Sequence, residues 1–311
     1  MSEEAGRKPP AAALVLAALR APFTAASALP ALIAAAWAWQ RGSSFSWLTA
    51  ALAVAGAAVV HLAANVINDY FDWDESDRIN RFPTPFSGGS RSRLEGLVPR
   101  RTFLVIGIVL LGIACALAGA LVALGRPWVP VVGLAGALGG IVYSARPLQL
   151  AGRGVGEIVI FICFGPLITL GTGYAIEGAF TLNYALIGLP MGFLVANILW
   201  VNEFPDIEAD GGAGKRTLVV RLGSSRARWG FVALVAGFIV SVGALWIAGI
   251  LPVWCLACLV TVGLAVKAAR NLWPNHSVPE KLLPSQAATI QMQAAAGILL
   301  TASIVAERWL G

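Results

Sequence analysis

Residues 61–77, HLAANVINDYFDWDESD, begin as the end of an apolar helix and finish with four aspartates and a glutamate. Only 12% of the chain is charged, so this much acid where a hydrophobic segment meets water asks for a reason. At about 100° per residue, Asn65, Asp69 and Asp72 share a sector of about 60° on one helix face. Asn68 lies alongside them, and His61 continues the same stripe one turn deeper.

The rest of the chain supplies the setting. It is 58% hydrophobic with a mean hydropathy of +0.77, outside the usual range for a soluble domain, and this predicts an all-α polytopic membrane protein. A hydrocarbon core of about 30 Å needs roughly 20 helical residues. Apolar runs near 23–40, 47–70, 102–124, 127–145, 155–176, 183–203, 229–249, 251–270 and 287–306 predict nine spans. The first run lacks a convincing cleavage site before it, so the apolar start reads as a span and not as a signal peptide.

With the N-terminus inside, 19 of the 22 lysines and arginines fall on one side, leaving Arg41, Arg126 and Arg308 for the other. The positive-inside rule then places the N-terminus and the even-numbered connections in the cytoplasm of a bacterial-type inner (plasma) membrane. The net charge of +6 suits an anionic membrane surface or an anionic substrate. No soluble basic domain is present to hold nucleic acid, and no protein partner is predicted. Cys115, Cys163, Cys255 and Cys258 all lie inside spans without nearby His or acid ligands, and they read as packing.

The long, polar connections are the cytoplasmic ones. The second follows the sixth span as VNEFPDIEADGGAGKRTLVVRLG, residues 201–223. Like the first, it ends a helix with Asn and Asp and then adds basic residues and glycines, which hints at an internal pseudo-repeat. Asn202, Asp206 and Asp210, spaced by four, share one face if the sixth helix continues, kinked, through Pro205.

Two helices offering Asp and Asn oxygens at one membrane depth suit a hard divalent cation. Mg²⁺ takes oxygen ligands and usually bridges carboxylates to substrate phosphates, so the expected ligand is a diphosphate. Arg78, Arg81, Arg146, Arg153 and Lys215 in the adjoining loops would neutralise oxygens that the metal does not bind. The bland alternative is a set of interfacial acids facing water. It fits one cluster well but a matched pair poorly, because an intramembrane acid costs roughly 2.5–3.5 kcal/mol on insertion scales. A cation-coupled transporter would place acids toward both faces, and a lipid-binding scaffold would leave both clusters without a purpose.

These residues resemble the UbiA superfamily of intramembrane aromatic prenyltransferases. NDYFDWDESDRINR is similar to that family's first aspartate motif, and DIEADGGAGKRTL to its second. Where the family pattern has an acid four residues after Asp72 this chain has Ser76, and Asp77 follows one later. A one-residue insertion makes Asp77 the equivalent, provided that the helix has ended before it. GKRTLVVRLG and YSARPLQLAGRGVGEIVIFICFGP, residues 143–166, resemble the menaquinone branch, which prenylates 1,4-dihydroxy-2-naphthoate. Branches that act on 4-hydroxybenzoate or homogentisate are the alternatives.

The resemblance implies one UbiA-like domain over residues 23–311 after a cytoplasmic N-terminal segment, 1–22, with a central cavity open to the cytoplasm. It implies Mg²⁺ as cofactor, and a polyprenyl diphosphate, an aromatic acceptor and membrane lipid as partners. Asp69, Asp72, Asp206 and Asp210 would be catalytic through metal, with Asn65, Asn68, Asp77 and Asn202 completing the ligand set. Tyr143 and Arg153 would map onto the family's diphosphate-binding tyrosine and basic residue.

Weaker signals remain. His61 and Glu157 would contact the acceptor, although a buried His bonded to a neighbour and a Glu at a helix N-terminus have ordinary explanations too. Arg20 with Pro22 is similar to an Arg-Pro pair of the family, and snorkelling to headgroups explains it equally well. Phe161, Phe164 and Trp200 are candidates for contact with an allylic cation or for plain packing.

Overall fold

The computed structural model describes residues 19–42, 45–71, 76–87, 89 and 98–310, without the side chains of 21, 22, 76 and 77. Every regular element among them is helical. In chain order they are α1 (Ala25–Arg41), α2 (Trp47–Phe71), the short α3 (Ser76–Ile79), α4 (Arg100–Ala123) and α5 (Val129–Ser144). Then come α6 (Gly156–Glu177), α7 (Leu182–Gly212), the short α8 (Leu218–Leu222), α9 (Ser224–Ile247), α10 (Val253–Asn275) and α11 (Leu283–Leu310).

Seven of these are long and apolar enough to cross a bilayer: α2, α4, α6, α7, α9, α10 and α11. The runs expected near 23–40 and 127–145 fall on α1 and α5, helices of 17 and 16 residues that are shorter than the usual span. Burial sorts the bundle. In α7, 72% of the apolar window is buried inside the protein, against 11% in α4. The central α7 packs on α1, α6, α9 and α11, while α4 leans on α2 and turns Leu104, Val105, Ile108 and Val109 outward. Such a face is stable in hydrocarbon and a liability in water. The protein is a multi-pass membrane protein.

Two local features set the helix lines around the site. In α6 the ladder widens to a π turn at Cys163–Leu167, where Pro166 has no N–H to donate. Beside it a Cβ on Gly165 would come within 2.8 Å of the Gly192 Cα, so glycine permits the close crossing of α6 and α7. Pro190 and Pro205 lie inside α7 without ending it, and the helix runs on to Gly212.

The end of the bundle away from the acids is closed by structural cations. Arg126 donates from Nε to the Ala175 carbonyl at 2.9 Å and from Nη2 to that of Ile176 at 2.8 Å, capping α6. Arg308 donates to the Trp39 carbonyl at 2.6 Å, and Arg41 lies over the Trp37 ring.

Candidate active site

A cavity of about 410 Å³ runs down the inside of the bundle. Its mouth collects the polar side chains and its depth is apolar. From Asp69 at the mouth to Leu52 at the far end, α2 lines it over 17 residues, roughly 25 Å at 1.5 Å per residue. Small residues of α2 and α5, Gly56, Ala57, Gly133 and Gly136 among them, make the deep wall.

Of the residues the sequence singles out, His61, Asn65, Asn68, Asp69, Tyr143, Asn202, Asp206, Asp210 and Lys215 all line this one cavity. The continuous α7 is the cause on one side: helical spacing carries Asn202, Asp206 and Asp210 down a single face. On the other side α2, described as far as Phe71, carries His61, Asn65, Asn68 and Asp69. Asp72 and Asp74 lie outside the described residues, as does the side chain of Asp77, whose backbone belongs to the short helix α3.

Each acid at the mouth is held from a distant part of the chain. Asp69 is 2% exposed, and its Oδ1 accepts from Arg20 Nη2 at 2.9 Å. Arg20 takes the left-handed backbone at φ 49°, a conformation that costs a non-glycine residue roughly 1–2 kcal/mol, offset here by the ion pair. Asp206 Oδ1 accepts from Asn80 Nδ2 at 2.7 Å and from the Ser87 hydroxyl at 3.3 Å. Asn202 donates to the Phe86 carbonyl at 3.1 Å, so the 80–87 loop from the first motif is stapled across the second. Past α7 the chain reverses at Gly214, where φ is 80°, and the Lys215 amide donates to the Asp210 carbonyl at 2.8 Å. That turn leaves Lys215 Nζ 3.9 Å from Asp210 Oδ1.

Asn68 has a second task. With its amide oriented so that both ends are satisfied, its nitrogen donates to the Ala64 and Gly140 carbonyls at 3.1 Å each and pins α5 to α2. Gly140 makes that approach feasible, since a Cβ there would sit 2.8 Å from the Ala64 Cβ.

The remaining expected residues lie off the cavity wall. Arg78, Arg81, Arg146 and Arg153 are exposed around the mouth, and Arg153 donates to the Pro147 carbonyl at 2.6 Å. Glu157 is buried behind the wall beside Glu203. Phe164 is the exception and lines the cavity, whereas Phe161 meets Phe193 edge-on, and Trp200 donates to the Ala227 carbonyl away from the cavity.

Sequence reasoning passed over Asn80, Ser87, Thr217 and Glu203. Asn80 sits in the RINR stretch that follows the first motif, which is the one signal that pointed to it. Glu203 is an acid next to Asn202, three residues before the second motif, 7% exposed and lining the cavity.

A divalent cation fits this donor set with substrate present. Among the described residues no three His, Cys, Asp or Glu side chains converge tightly enough to hold a metal by themselves. The buried Asn202 Oδ1, however, has no hydrogen-bond partner, and it sits one helical turn from Asp206. Oxygen donors from one or two carboxylates and an amide, completed by phosphate oxygens, make a usual Mg²⁺ site.

Comparison with known proteins agrees with this arrangement. The model of the UbiA prenyltransferase family matches residues 27–284. The 1,4-dihydroxy-2-naphthoate octaprenyltransferase of Mycobacterium tuberculosis is 33% identical over 229 residues, which cover 72% of this chain and 74% of that protein. The apo structure of a UbiA homolog from Aeropyrum pernix K1 superposes with a TM-score of 0.67 at 17% identity, covering 90% of this chain and 96% of that one. A UbiA homolog from Archaeoglobus fulgidus bound to DMAPP and Mg²⁺ gives a TM-score of 0.62 at 20% identity, covering 95% of this chain and 99% of that one. At such identities the two structures speak for the fold alone.

Proposed function

Within the UbiA prenyltransferase family, to which this chain belongs, we propose that it transfers a polyprenyl group from a polyprenyl diphosphate to 1,4-dihydroxy-2-naphthoate, the menaquinone-forming reaction. The chain is a prenyltransferase. The observation that carries the finer reading is the single cavity whose mouth gathers both aspartate-bearing helix faces and whose depth is an apolar channel. A diphosphate belongs at the mouth and an isoprenoid chain in the channel.

In this reading Asp69, Asp206 and Asp210, with Asn65, Asn68 and Asn202, hold Mg²⁺; Asp72 and Asp77 belong to the same motif. The metal supplies charge neutralisation for the departing diphosphate. Tyr143 and Lys215 bind diphosphate oxygens from the wall, and Arg78, Arg81, Arg146 and Arg153 draw the anion toward the mouth. Arg20 and Asn80 fix the carboxylates of Asp69 and Asp206. The apolar wall excludes water from the allylic cation until the electron-rich ring attacks it. A new C–C bond forms as the C–O bond to diphosphate breaks, and the acceptor carboxylate leaves as CO₂. Glu157 stands on the acceptor side, behind Glu203.

Counting α1 and α5 with the seven longer helices gives nine crossings in one domain over residues 23–311. The lysine and arginine bias then puts residues 1–22 and the cavity mouth in the cytoplasm, below an inner membrane.

Product analysis by mass spectrometry tests this. Purified protein in detergent, with Mg²⁺, a polyprenyl diphosphate and 1,4-dihydroxy-2-naphthoate, is expected to yield a decarboxylated prenyl-naphthoquinol, and EDTA is expected to abolish it. Product from 4-hydroxybenzoate or homogentisate instead would move the acceptor. No transfer to any of the three would defeat the reading.

A further inference from the structure

The channel below the acids is mainly apolar, with the Cys163 thiol and the Thr172 hydroxyl in its lining, and His61 is its one imidazole among the described residues. His61, on α2, lies eight residues before Asp69, roughly 12 Å deeper at 1.5 Å per residue, and it lines the cavity among Ala26, Val60, Ala64, Phe164 and Ile198. Its ring is held on two sides. Nδ1 lies 3.0 Å from the Ser27 hydroxyl, and the Phe164 ring, delivered by the π turn of α6, meets it edge-on with centroids 4.7 Å apart.

The Thr24 carbonyl assigns the tautomer. Ser27 has one hydroxyl hydrogen, and that carbonyl, 3.0 Å away, can only accept it, whereas His61 Nδ1 can itself donate. Ser27 Oγ therefore accepts from His61, so Nδ1 bears the hydrogen. That leaves Nε2 as a bare lone pair on a ring whose hydrogen bonding is otherwise confined to Ser27.

An acceptor atom at this level selects what lies against it. A prenyl chain has no donor, and packing it directly against Nε2 would bury the lone pair unpaired. A phenolic O–H would satisfy it. A carboxylate would meet a second acceptor and be disfavoured. We propose that His61 Nε2 is the hydroxyl-recognition point of the aromatic acceptor: it accepts a hydrogen bond from a ring O–H and turns the acceptor's carboxylate away from this level. Ser27 is the positioning residue that holds the tautomer. This inference rests on the prenyltransferase reading above and adds the atom by which that site tells a hydroxylated ring from other aromatic carboxylates.

Equilibrium binding tests it free of ring reactivity. Dissociation constants are measured by calorimetry, anaerobically, on detergent-purified protein. The ligands are 1,4-dihydroxy-2-naphthoate, 1-hydroxy-2-naphthoate and 4-hydroxy-2-naphthoate, with geranyl diphosphate plus Mg²⁺ titrated separately. Wild-type protein is expected to bind one mono-hydroxy analogue about tenfold more weakly than the diol. His61→Leu is expected to bind the diol about tenfold more weakly, to lose discrimination between the diol and that analogue, and to keep geranyl diphosphate affinity within about twofold. His61→Gln, which can present an amide oxygen, is expected to recover most of the loss, and Ser27→Ala to fall about threefold.

The inference is overturned if His61→Leu leaves the diol affinity unchanged, weakens all three naphthoates equally, or weakens geranyl diphosphate as much. A folding defect would lower diphosphate affinity too, and the Gln variant would not rescue it. If wild-type protein turns over 4-hydroxybenzoate but not the naphthoate, the acceptor assignment has failed, and the same comparison is run with 4-hydroxybenzoate against benzoate. If wild-type protein turns over a naphthoate while His61→Leu discriminates as wild type does, the reaction stands and the role of His61 falls.

Discussion

Helices α2 and α7 present matching polar faces to one cavity, but they are built differently. The buried α7 carries Asn202, Asp206 and Asp210 on one continuous helix through two prolines. The partly exposed α2 carries Asn65 and Asp69, and the later acids of its motif lie outside the described residues. Their supports differ as well. Asp69 accepts from a cation in the chain before α1, and the donors to Asp206 include an amide and a hydroxyl from the loop after α3. Similar polar faces thus rest on different supports, one reached from the chain before α1 and the other from the loop after α3.

The largest effects should fall on both halves alike. Asp206→Ala and Asp69→Ala are each expected to lower kcat/KM for prenyl transfer by at least about 10²–10³, since each removes charge from a preorganised site. Steady-state product formation, measured beside a thermal melt, checks this. A variant with only a tenfold loss would show that its helix is the lesser half, which would break the symmetry argued above.

The next test separates the supports. Asn80→Ala removes a neutral donor from a charged acceptor that keeps Ser87, and it is expected to lower kcat/KM about tenfold with little change in melting temperature. Arg20→Ala removes a cation from a carboxylate that is 2% exposed, and it is expected to lower activity and also destabilise the fold by about 3 kcal/mol. Equal melting temperatures for the two variants would show that the two supports do the same work.

The same contrast explains what the sequence could disclose. Positions at helical spacing on α7 were legible because the helix continues, and the rule of 100° per residue needs nothing more. Tyr143 and Lys215 came from resemblance or from charge near the motif, and both face the cavity. The supports were not legible, because pairing Arg20 with Asp69 or Asn80 with Asp206 spans 49 and 126 residues and follows from how the chain folds back. Direction was hidden too: Arg78, Arg81, Arg146 and Arg153 sit near the motifs in sequence yet lie exposed around the mouth. The long apolar helices followed from hydropathy, while α1 and α5 fall short of a full span and owe their place to packing, α1 chiefly on α11 and α6 and α5 on α2.

Below the mouth the comparison shifts to the deep wall. Gly56 on α2 and Gly133 on α5 both line the channel, and a Cβ on either would meet nothing within 4 Å. Gly56→Leu or Gly133→Leu is therefore expected to project into the channel without disturbing its neighbours. In competition between geranyl and octaprenyl diphosphates, the product ratio should move several-fold toward the shorter chain. Turnover of geranyl diphosphate alone should stay within about twofold. An unchanged ratio would place the isoprenoid tail elsewhere.

The smallest effect belongs to the second face of α7. Glu203 Oε2 and both Glu157 oxygens are buried without hydrogen-bond partners, and the two carboxylates lie close enough to repel. Glu203→Gln keeps the shape and removes a charge. It is expected to stabilise the fold by about 1–2 kcal/mol, read as a rise of a few degrees in melting temperature. Glu157→Gln should give a similar rise, and the double variant less than the sum, because each change relieves the same repulsion. Additive gains would mean that the carboxylates are strained independently. A fall in melting temperature for either single variant would mean that the wall donates to that carboxylate after all, making this pair as well supported as the carboxylates at the mouth.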